Sequence, residues 1–234
     1  MSRSTLRPES LPGGRLARAA KAAPTPAADT KPAKKTAGPA ASKGSGEIRI
    51  IGEAWKRTRL PVAQRPGLRP TPDRVRETLF NWLGQDLTGW RCLDAFAGTG
   101  ALGLEAASRG AAAVQLVESD PALVIQLHTL QQRLKATAVR VQRGDGVAAL
   151  KQAAPASLDL ILLDPPFEGG LYEPALQAAA RAVAAGGFVY LEAPALWTDE
   201  QLAPWGLVVH RHLKAGAVHA HLLRLGVAAE PPAL

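Results

Sequence analysis

One glycine-rich segment, residues 93–103, constrains the fold of this chain more than any other, and its sequence is Leu-Asp-Ala-Phe-Ala-Gly-Thr-Gly-Ala-Leu-Gly. The apolar run at 91–96 predicts a buried parallel strand, the glycines predict a tight turn, and residues 101–108 predict a helix. Such a loop lets a ligand approach the bare backbone, and amides at the helix start can donate to it. We predict a nucleotide-type cofactor site here; the alternative is a purely structural glycine turn.

The spacing of the glycines matches the dinucleotide-binding fingerprint, Gly98-x-Gly100-x-x-Gly103, and Glu118 ends the next predicted strand. This pattern alone does not separate NAD from other adenosine cofactors. Asp94 favours a cofactor other than NAD, because a carboxylate ahead of the loop can bind the cationic amino group of a methionine moiety. The same carboxylate would repel the pyrophosphate of NAD. The sequence therefore favours S-adenosylmethionine as the cofactor.

Two carboxylates at the ends of later strands extend the predicted cofactor site. Glu118 can accept from both ribose hydroxyls, and Asp145, after the third strand, is placed to accept from the adenine amino group. Each could instead be a helix-capping or loop carboxylate, since Asp120 and Asp145 both precede predicted helices. The predicted cofactor-binding residues are Asp94, Phe96, Ala97, Gly98, Thr99, Gly100, Glu118, Ser119, Asp145 and Gly146.

A second motif, Asp164-Pro165-Pro166-Phe167, follows an apolar run at 158–163 and therefore lies at the carboxyl end of a predicted strand. The prolines lack amide hydrogens, which leaves local carbonyl groups available as acceptors. Asp164 and the Pro165 carbonyl could accept both hydrogens of an exocyclic base amine and direct its lone pair at a methyl donor. Phe167 offers a stacking face for an extruded base. We predict Asp164, Pro165 and Phe167 as catalytic; the alternative is a strand-ending turn with a core Phe.

The positive charge of the chain lies ahead of the glycine loop. The 234 residues carry a formal net charge of +8 at pH 7. Residues 1–46 hold nine Lys or Arg against two acidic residues and are rich in Ala, Pro and Gly, which predicts a disordered arm. Such an arm suits loose contacts with phosphate groups. The alternatives are a solvated tail without a role and an organelle transit peptide.

Other features of the composition indicate the compartment. No apolar run reaches the roughly 18 to 20 residues of a membrane span, and no signal-peptide core follows the start. The single cysteine, Cys92, lies in the apolar strand before the glycine loop, which favours a small buried hydrophobe over a nucleophile. We predict a cytoplasmic protein without a membrane partner.

The segment between the arm and the glycine loop is basic. Residues 47–51 and 59–62 predict two short strands of a hairpin, and Thr71 is predicted to cap a helix at 73–83 that has Pro72 at its first position. The apolar spacing within this helix leaves its arginines to face solvent or ligand. We predict a nucleic-acid surface; a merely solvated basic face is the alternative. Together with two residues of the proline motif, the predicted substrate-binding residues are Arg69, Thr71, Arg74, Arg76, Pro166 and Phe167.

Predicted strands and helices alternate after the loop. Their order is strand 114–118, helix 121–135, strand 139–142, helix 147–153, strand 158–164, helix 173–184, strand 188–192 and two strands within 207–225. This alternation predicts an α/β fold, a doubly wound Rossmann-like sheet of the class I S-adenosylmethionine-dependent methyltransferase type with a C-terminal antiparallel hairpin. The predicted divisions are the arm (1–46), a basic hairpin and helix (47–83), a catalytic domain (84–227) and a tail (228–234).

Four histidines lie on the two arms of the last hairpin: His210, His212, His219 and His221. A spacing of two places each pair on one face of its strand. A metal site is conceivable, but no Cys or carboxylate completes a recognisable ligand set. The pattern favours a polar sheet face or an RNA-facing edge, and we expect no metal.

On these motifs the chain resembles the bacterial 16S rRNA (guanine-N2) methyltransferase family (RsmD-like) from about residue 48 to 225. The shared stretches are Arg-Ile-Ile-Gly at 49–52, Gly-Leu-Arg-Pro-Thr at 67–71, Asp-Arg-Val-Arg-Glu-Thr-Leu-Phe-Asn-Trp at 73–82, the glycine loop at 93–106 and Asp-Pro-Pro-Phe at 164–167. The glycine loop and the proline motif also occur in other amino-methylating enzymes. The Arg-Pro-Thr and Arg-Val-Arg-Glu stretches are therefore the more specific part.

The resemblance implies methylation of the 2-amino group of one guanine in 16S rRNA, within the 30S subunit or its assembly intermediate, and we expect a monomer. It implies that Asp164 and Phe167 are catalytic and that residues 69–76 form part of a cofactor lid or RNA surface. It also implies cofactor contacts from Asp94, Gly98, Gly100 and Glu118. The arm at 1–46 is an extension relative to the family pattern.

Three alternatives remain for the function. A DNA adenine or cytosine amino-methyltransferase would use the same proline motif, but it would usually need a target-recognition insertion for which the chain has no room. A protein-glutamine methylase is less favoured by the basic segment. A non-catalytic RNA-binding ribosome assembly factor would not need the cofactor and amine motifs, and both look intact.

Overall fold

The computed structural model describes residues 47–61, 71–167 and 170–226. The predicted arm at 1–46, the tail at 228–234 and Arg69 lie outside this part of the chain. Within the described part, no helix is both long and apolar enough to cross a membrane.

The secondary structure follows the predicted alternation. The strands are β1 (Glu47–Arg49), β2 (Arg59–Pro61), β3 (Arg91–Asp94), β4 (Ala113–Glu118), β5 (Val139–Arg143), β6 (Leu158–Leu163), β7 (Val183–Ala193), β8 (Leu207–Ala215) and β9 (Val218–Leu225). The α-helices are α1 (Asp73–Trp82), α2 (Ala101–Ser108), α3 (Pro121–Arg133), α4 (Gly146–Gln152), α5 (Tyr172–Ala182) and α6 (Asp199–Leu202). Short 3-10 turns lie at Glu53–Trp55 and Ala203–Trp205.

Seven strands form one sheet in the order β5-β4-β3-β6-β7-β9-β8, and β1 pairs with β2 in a separate antiparallel hairpin. The first five strands of the large sheet are parallel, whereas β9 runs antiparallel to β7 and to β8. Strand order reverses between β3 and β6, and open α/β sheets bind ligands at such a point. The predicted fold class and closing hairpin are confirmed.

Helices cover both faces of this sheet, because the side chains of its central strands alternate between two apolar clusters. In β6, Leu160 and Leu162 pack with residues of α1, α2 and α3, whereas Ile161 and Leu163 pack with residues of α4 and α5. Cys92 is buried in the first cluster, where burial raises the pKa of its thiol to about 12. The prediction that Cys92 is a small buried hydrophobe is confirmed.

Several predicted boundaries were wrong; the strand expected at 188–192, for example, begins at Val183. The strand expected at 91–96 ends at Asp94, so Ala95 and Phe96 belong to the turn that opens the glycine loop. The helix expected to run to residue 184 ends at Ala182, because Val183 already pairs with Leu158 of β6. The helix α6 was not predicted; a capping box of Thr198 and Gln201 begins it.

A buried carboxylate, that of Glu105 in α2, helps to attach the hairpin β1–β2 to the large sheet. The backbone N–H groups of Ile51 and Gly52 donate to its two oxygens at 2.8 and 2.7 Å. Arg109 donates to the same carboxylate at 2.9 Å, and Arg76 of α1 forms an ion pair with it at 3.5 Å. Glu105 therefore joins α1, α2 and the hairpin.

The position of Arg76 differs from the prediction. Its side chain is fully buried, and it donates to the Arg49 carbonyl at 2.8 Å and to Asp73 at 2.6 Å. The expectation that Arg76 faces solvent or ligand, and so contributes to substrate binding, was wrong. Glu105 provides the reason, because its buried negative charge is the partner that a buried guanidinium requires.

We expect Glu105→Gln to lower the free energy of unfolding by about 3–5 kcal/mol, because it leaves two buried arginines without their shared counter-charge. Urea unfolding followed by circular dichroism measures this change. The matched control is Asp159→Asn, which breaks a more exposed ion pair with Arg91 and should cost less than about 1 kcal/mol. Equal losses in the two variants would contradict the role given to Glu105.

Candidate active site

A cleft of about 660 Å³ opens at the carboxyl ends of β3, β4, β6 and β7. This size suits a ligand as large as a nucleoside derivative. All three predicted catalytic residues line the cleft, and so does every predicted cofactor-binding residue except Gly100. Asp94 and Asp164, which are 70 positions apart in the sequence, therefore line the same cleft, as predicted.

The three glycines of the fingerprint have different tasks. Gly98 lines the cleft with φ of 53°, and its N–H donates to Glu118 at 2.8 Å. Gly100 adopts φ of 80° and begins α2, but it packs towards Leu127 rather than towards the cleft. A Cβ on Gly103 would lie 2.2 Å from Leu116, so this glycine lets α2 approach the sheet. Of the three glycines, only Gly98 lines the cleft.

Asp94 has a buried carboxylate that hydrogen bonds compensate only in part. It is 1% exposed; Oδ2 accepts from the Gly103 N–H at 3.0 Å, and Oδ1 has no hydrogen-bond partner within the described part of the chain. Burial raises the pKa of Asp94 to about 7, against the opposing effect of backbone hydrogen bonds from Gly103 and Phe96. A buried acceptor without a partner fits a ligand that brings a cation or an N–H donor.

Glu118 and Asp145 line the cleft and also support its loops. Glu118 accepts from the Gly98 N–H and from the Asp120 N–H, both at 2.8 Å. Asp145 caps α4 by accepting from the Ala148 N–H at 2.6 Å. The loop and cap roles therefore hold, and the contacts of Glu118 and Asp145 with a cofactor stay a prediction. Each carboxylate retains lone pairs that a ligand could use.

The proline motif lies across the cleft from the glycine loop. Asp164 is partly buried, and burial raises its pKa well above the usual range, with further increases from the charges of Glu192 and Asp94. Phe167 is 43% exposed, which is unusual for so large an apolar side chain. An aromatic face at the cleft rim next to a carboxylate matches the predicted stacking position.

Sequence reasoning missed Glu192, which lies at the end of β7 beside the proline motif. It is 3% exposed, lines the cleft and accepts from Thr71 Oγ at 2.7 Å and from the Tyr190 hydroxyl at 2.9 Å. Burial raises the pKa of Glu192, while these two hydrogen bonds oppose the rise. The signal was present, since Glu192 ends a predicted strand as Glu118 does.

Thr71 also corrects a prediction. Pro72 is the N-cap residue of α1, and no side chain caps that helix. The Thr71 hydroxyl donates to Glu192 instead, so the predicted cap was wrong although Thr71 does line the cleft. Pro166 also lines it, and the exposed Arg74 does not.

The histidines of the last hairpin form a hydrogen-bonded cluster. Donor atoms of His212, His219 and His221 lie within 4.8 Å of one another, and His212 Nε2 is 3.0 Å from His219 Nδ1. His221 is buried; its Nε2 accepts from the Trp197 N–H at 3.1 Å, and its Nδ1 lies 3.4 Å from the Leu191 carbonyl. A metal ion bound by His221 Nε2 would have to displace the Trp197 amide. The RNA-facing role stays a prediction.

The raised pKa of Asp94 predicts a pH-dependent effect of Asp94→Asn on stability. Between about pH 4 and 7 the unfolded chain ionises this carboxyl while the folded chain keeps its proton, so the wild type loses stability as pH rises. The variant lacks this loss. We expect its free energy of unfolding, relative to the wild type, to rise by about 1–3 kcal/mol from pH 5 to 8.

Urea titrations of the cofactor-free protein at pH 5, 6, 7 and 8 measure this difference. The control is Asp86→Asn, because hydrogen bonds from Thr88 lower the pKa of that exposed carboxyl and its ionisation is complete below pH 5. Its stability relative to the wild type should not change over this range. A flat profile for Asp94→Asn as well would contradict the raised pKa.

Comparison with known proteins supports one family. The family described as Conserved hypothetical protein 95 matches residues 48–224. Escherichia coli K12 ribosomal RNA small subunit methyltransferase D is 51% identical over 130 residues, which cover 56% of this chain and 65% of that protein, under two thirds of its length. The protein of the same name from Haemophilus influenzae is 43% identical over 134 residues, covering 56% and 69%.

Solved structures agree with this result. The structure of the Escherichia coli protein yhhF aligns with a TM-score of 0.67 at 40% identity and covers 78% of this chain and 100% of that one. The family expected from the sequence motifs is therefore confirmed. The chain belongs to the Conserved hypothetical protein 95 family, the RsmD family.

Proposed function

We propose that this protein is an S-adenosylmethionine-dependent methyltransferase that methylates the 2-amino group of a guanine in small-subunit rRNA. The observation that carries the proposal is one cleft that holds both the Asp-Pro-Pro-Phe motif at 164–167 and a buried Asp94 oxygen that has no hydrogen-bond partner among the described residues. The motif suits an amine substrate, and the Asp94 oxygen suits a cationic amino group. The names of the two bacterial relatives support an rRNA substrate.

The residues of the glycine loop fit the proposed cofactor. Asp94 would hold its amino group, Glu118 its ribose hydroxyls and Asp145 its adenine amino group, and the Gly98 backbone leaves space for a close approach. When bound, S-adenosylmethionine supplies an electrophilic methyl group. The buried Asp94 carboxylate would gain the positive partner that its surroundings do not provide.

The proline motif would bind and activate the base. Phe167 would stack on the extruded guanine, while Asp164 and the Pro165 carbonyl accept the two hydrogens of its 2-amino group. The 2-amino nitrogen would take the methyl group that a bound donor supplies, and it would give up one N–H proton. Asp164 is suited to receive that proton, because its surroundings raise its pKa.

The substrate would be 16S rRNA in the 30S subunit or an assembly intermediate, bound by a monomeric enzyme. Two exposed groups support a contact with RNA: Phe167 at the cleft rim and Arg74 on α1. Stacking on an aromatic ring and contact of an arginine with phosphate are common modes of RNA recognition.

We expect Asp164→Asn to lower kcat for methyl transfer by about 10²–10⁴-fold, because an amide cannot take up the amine proton. Transfer of radiolabel from S-adenosylmethionine to 30S particles measures kcat, and calorimetry measures cofactor affinity, which should change less than threefold. Glu200→Gln, on the exposed surface of α6, is the control and should keep full activity. Wild-type activity in Asp164→Asn would exclude this role for Asp164.

Three substrates test the proposed reaction: 30S particles from a strain that lacks this methyltransferase, naked 16S rRNA and duplex DNA. We expect N2-methylguanosine in the rRNA, identified by nucleoside analysis. Label only in DNA would favour an amino-methyltransferase acting on DNA. No label anywhere, despite measurable cofactor binding, would favour a protein methylase or a non-catalytic assembly factor.

A further inference from the structure

We propose that Glu192 recognises the target guanine by accepting a hydrogen bond from its N1–H, while Asp164 accepts a hydrogen bond from the neighbouring 2-amino group. This inference rests on the proposed function and adds a base-specificity residue to it. Neither the sequence motifs nor the glycine-loop geometry assigns a role to Glu192.

The sheet places the two carboxylates side by side. Leu163 of β6 pairs with Leu191 of β7, so Asp164 and Glu192 are the next residues of neighbouring parallel strands. Strands in a sheet lie about 4.8 Å apart, and residues at the same register position face the same side. Asp164 and Glu192 both line the cleft. Two acceptors at this spacing can bind two adjacent N–H groups on one edge of a base.

The carboxylate of Glu192 is held in a defined orientation. The hydroxyls of Thr71 and Tyr190 both donate to Oε1, at 2.7 and 2.9 Å. Within the described part of the chain, these are the hydrogen bonds made by this carboxylate, and no Lys or Arg forms an ion pair with it. Oε2 is therefore available to a ligand in the cleft. A carboxylate that is 3% exposed gains most from a ligand that donates a hydrogen bond.

Of the four RNA bases, guanine best matches the two carboxylates of Asp164 and Glu192. Guanine has an N1–H donor next to its 2-amino group, so it can satisfy both carboxylates at once. Adenine and cytosine have an unprotonated ring nitrogen beside their amino groups, and its lone pair would face Glu192 Oε2. Uracil has a ring N–H but lacks an exocyclic amine. A polar site left unpaired by the wrong base rejects that base strongly.

The test uses 2-aminopurine, which keeps the 2-amino group of guanine but has no hydrogen on N1. The methylated position is first mapped; 16S rRNA is then ligated from fragments with guanine or 2-aminopurine there and assembled into particles. We expect wild-type kcat/KM to fall at least about 100-fold with 2-aminopurine. In Glu192→Gln, whose amide can donate to N1, the ratio of the two kcat/KM values should fall below about 10.

Two control variants separate base recognition from general damage. Thr71→Val removes one hydrogen bond to Oε1 but keeps the acceptor, so it should lower both rates together and change the ratio less than threefold. Glu200→Gln makes the same chemical change on exposed α6 and should keep the wild-type ratio. Thermal unfolding and cofactor affinity confirm that each variant is folded.

The outcomes separate this inference from the proposed function. If the wild type methylates guanine and 2-aminopurine at similar rates, or if Glu192→Gln keeps the wild-type ratio, recognition of N1–H by Glu192 is excluded while guanine-N2 methylation stands. If the wild type methylates no guanine, the proposed function fails. The comparison of the two wild-type rates remains decisive even if Glu192→Gln does not fold.

Discussion

The main physical constraint on this molecule is a group of three acidic side chains. They lie on one face of the sheet, at the ends of three neighbouring strands. Asp94, Asp164 and Glu192 lie at the ends of β3, β6 and β7. Burial raises the pKa of each, and the charges of neighbouring carboxylates raise those of Asp94 and Asp164 further. Such an arrangement costs folding free energy, because a buried carboxylate loses hydration. Ligands that bring a positive charge and N–H donors would remove that cost. The composition of the cleft therefore indicates its ligands.

A fourth buried carboxylate, Glu105, shows the opposite case. It receives two backbone N–H groups and lies beside two arginines, so little of its charge is left uncompensated. It stabilises the contact between α2 and the β1–β2 hairpin, and α2 begins directly after the glycine loop. Among the described residues, Glu105 is thus a well-compensated buried carboxylate that supports the loop, whereas Asp94, Asp164 and Glu192 line the cleft without a Lys or Arg partner.

Local patterns in the sequence predicted most of the fold and much of the site. Glycine spacing and apolar runs are local signals, so the strand-loop-helix unit and the strand-end positions of Glu118 and Asp164 were predicted, whereas the strand that leads to Asp94 was predicted two residues too long. Arg76 was misplaced because its burial depends on Glu105, which is 29 residues away in sequence. The hydroxyl of Thr71 finds its acceptor 121 residues later, at Glu192. Periodicity within one helix contains no information about such pairings.

A crystal structure of the protein with S-adenosylhomocysteine tests the central claim most directly, namely that Asp94 and Glu118 bind the methyl donor while Asp164 and Glu192 leave space for a base. We expect the amino group of the ligand within hydrogen-bond distance of Asp94 and its ribose hydroxyls on Glu118, with Asp164 and Glu192 still open to the cleft. A ligand bound elsewhere, or one whose atoms fill the space between Asp164 and Glu192, would contradict this account.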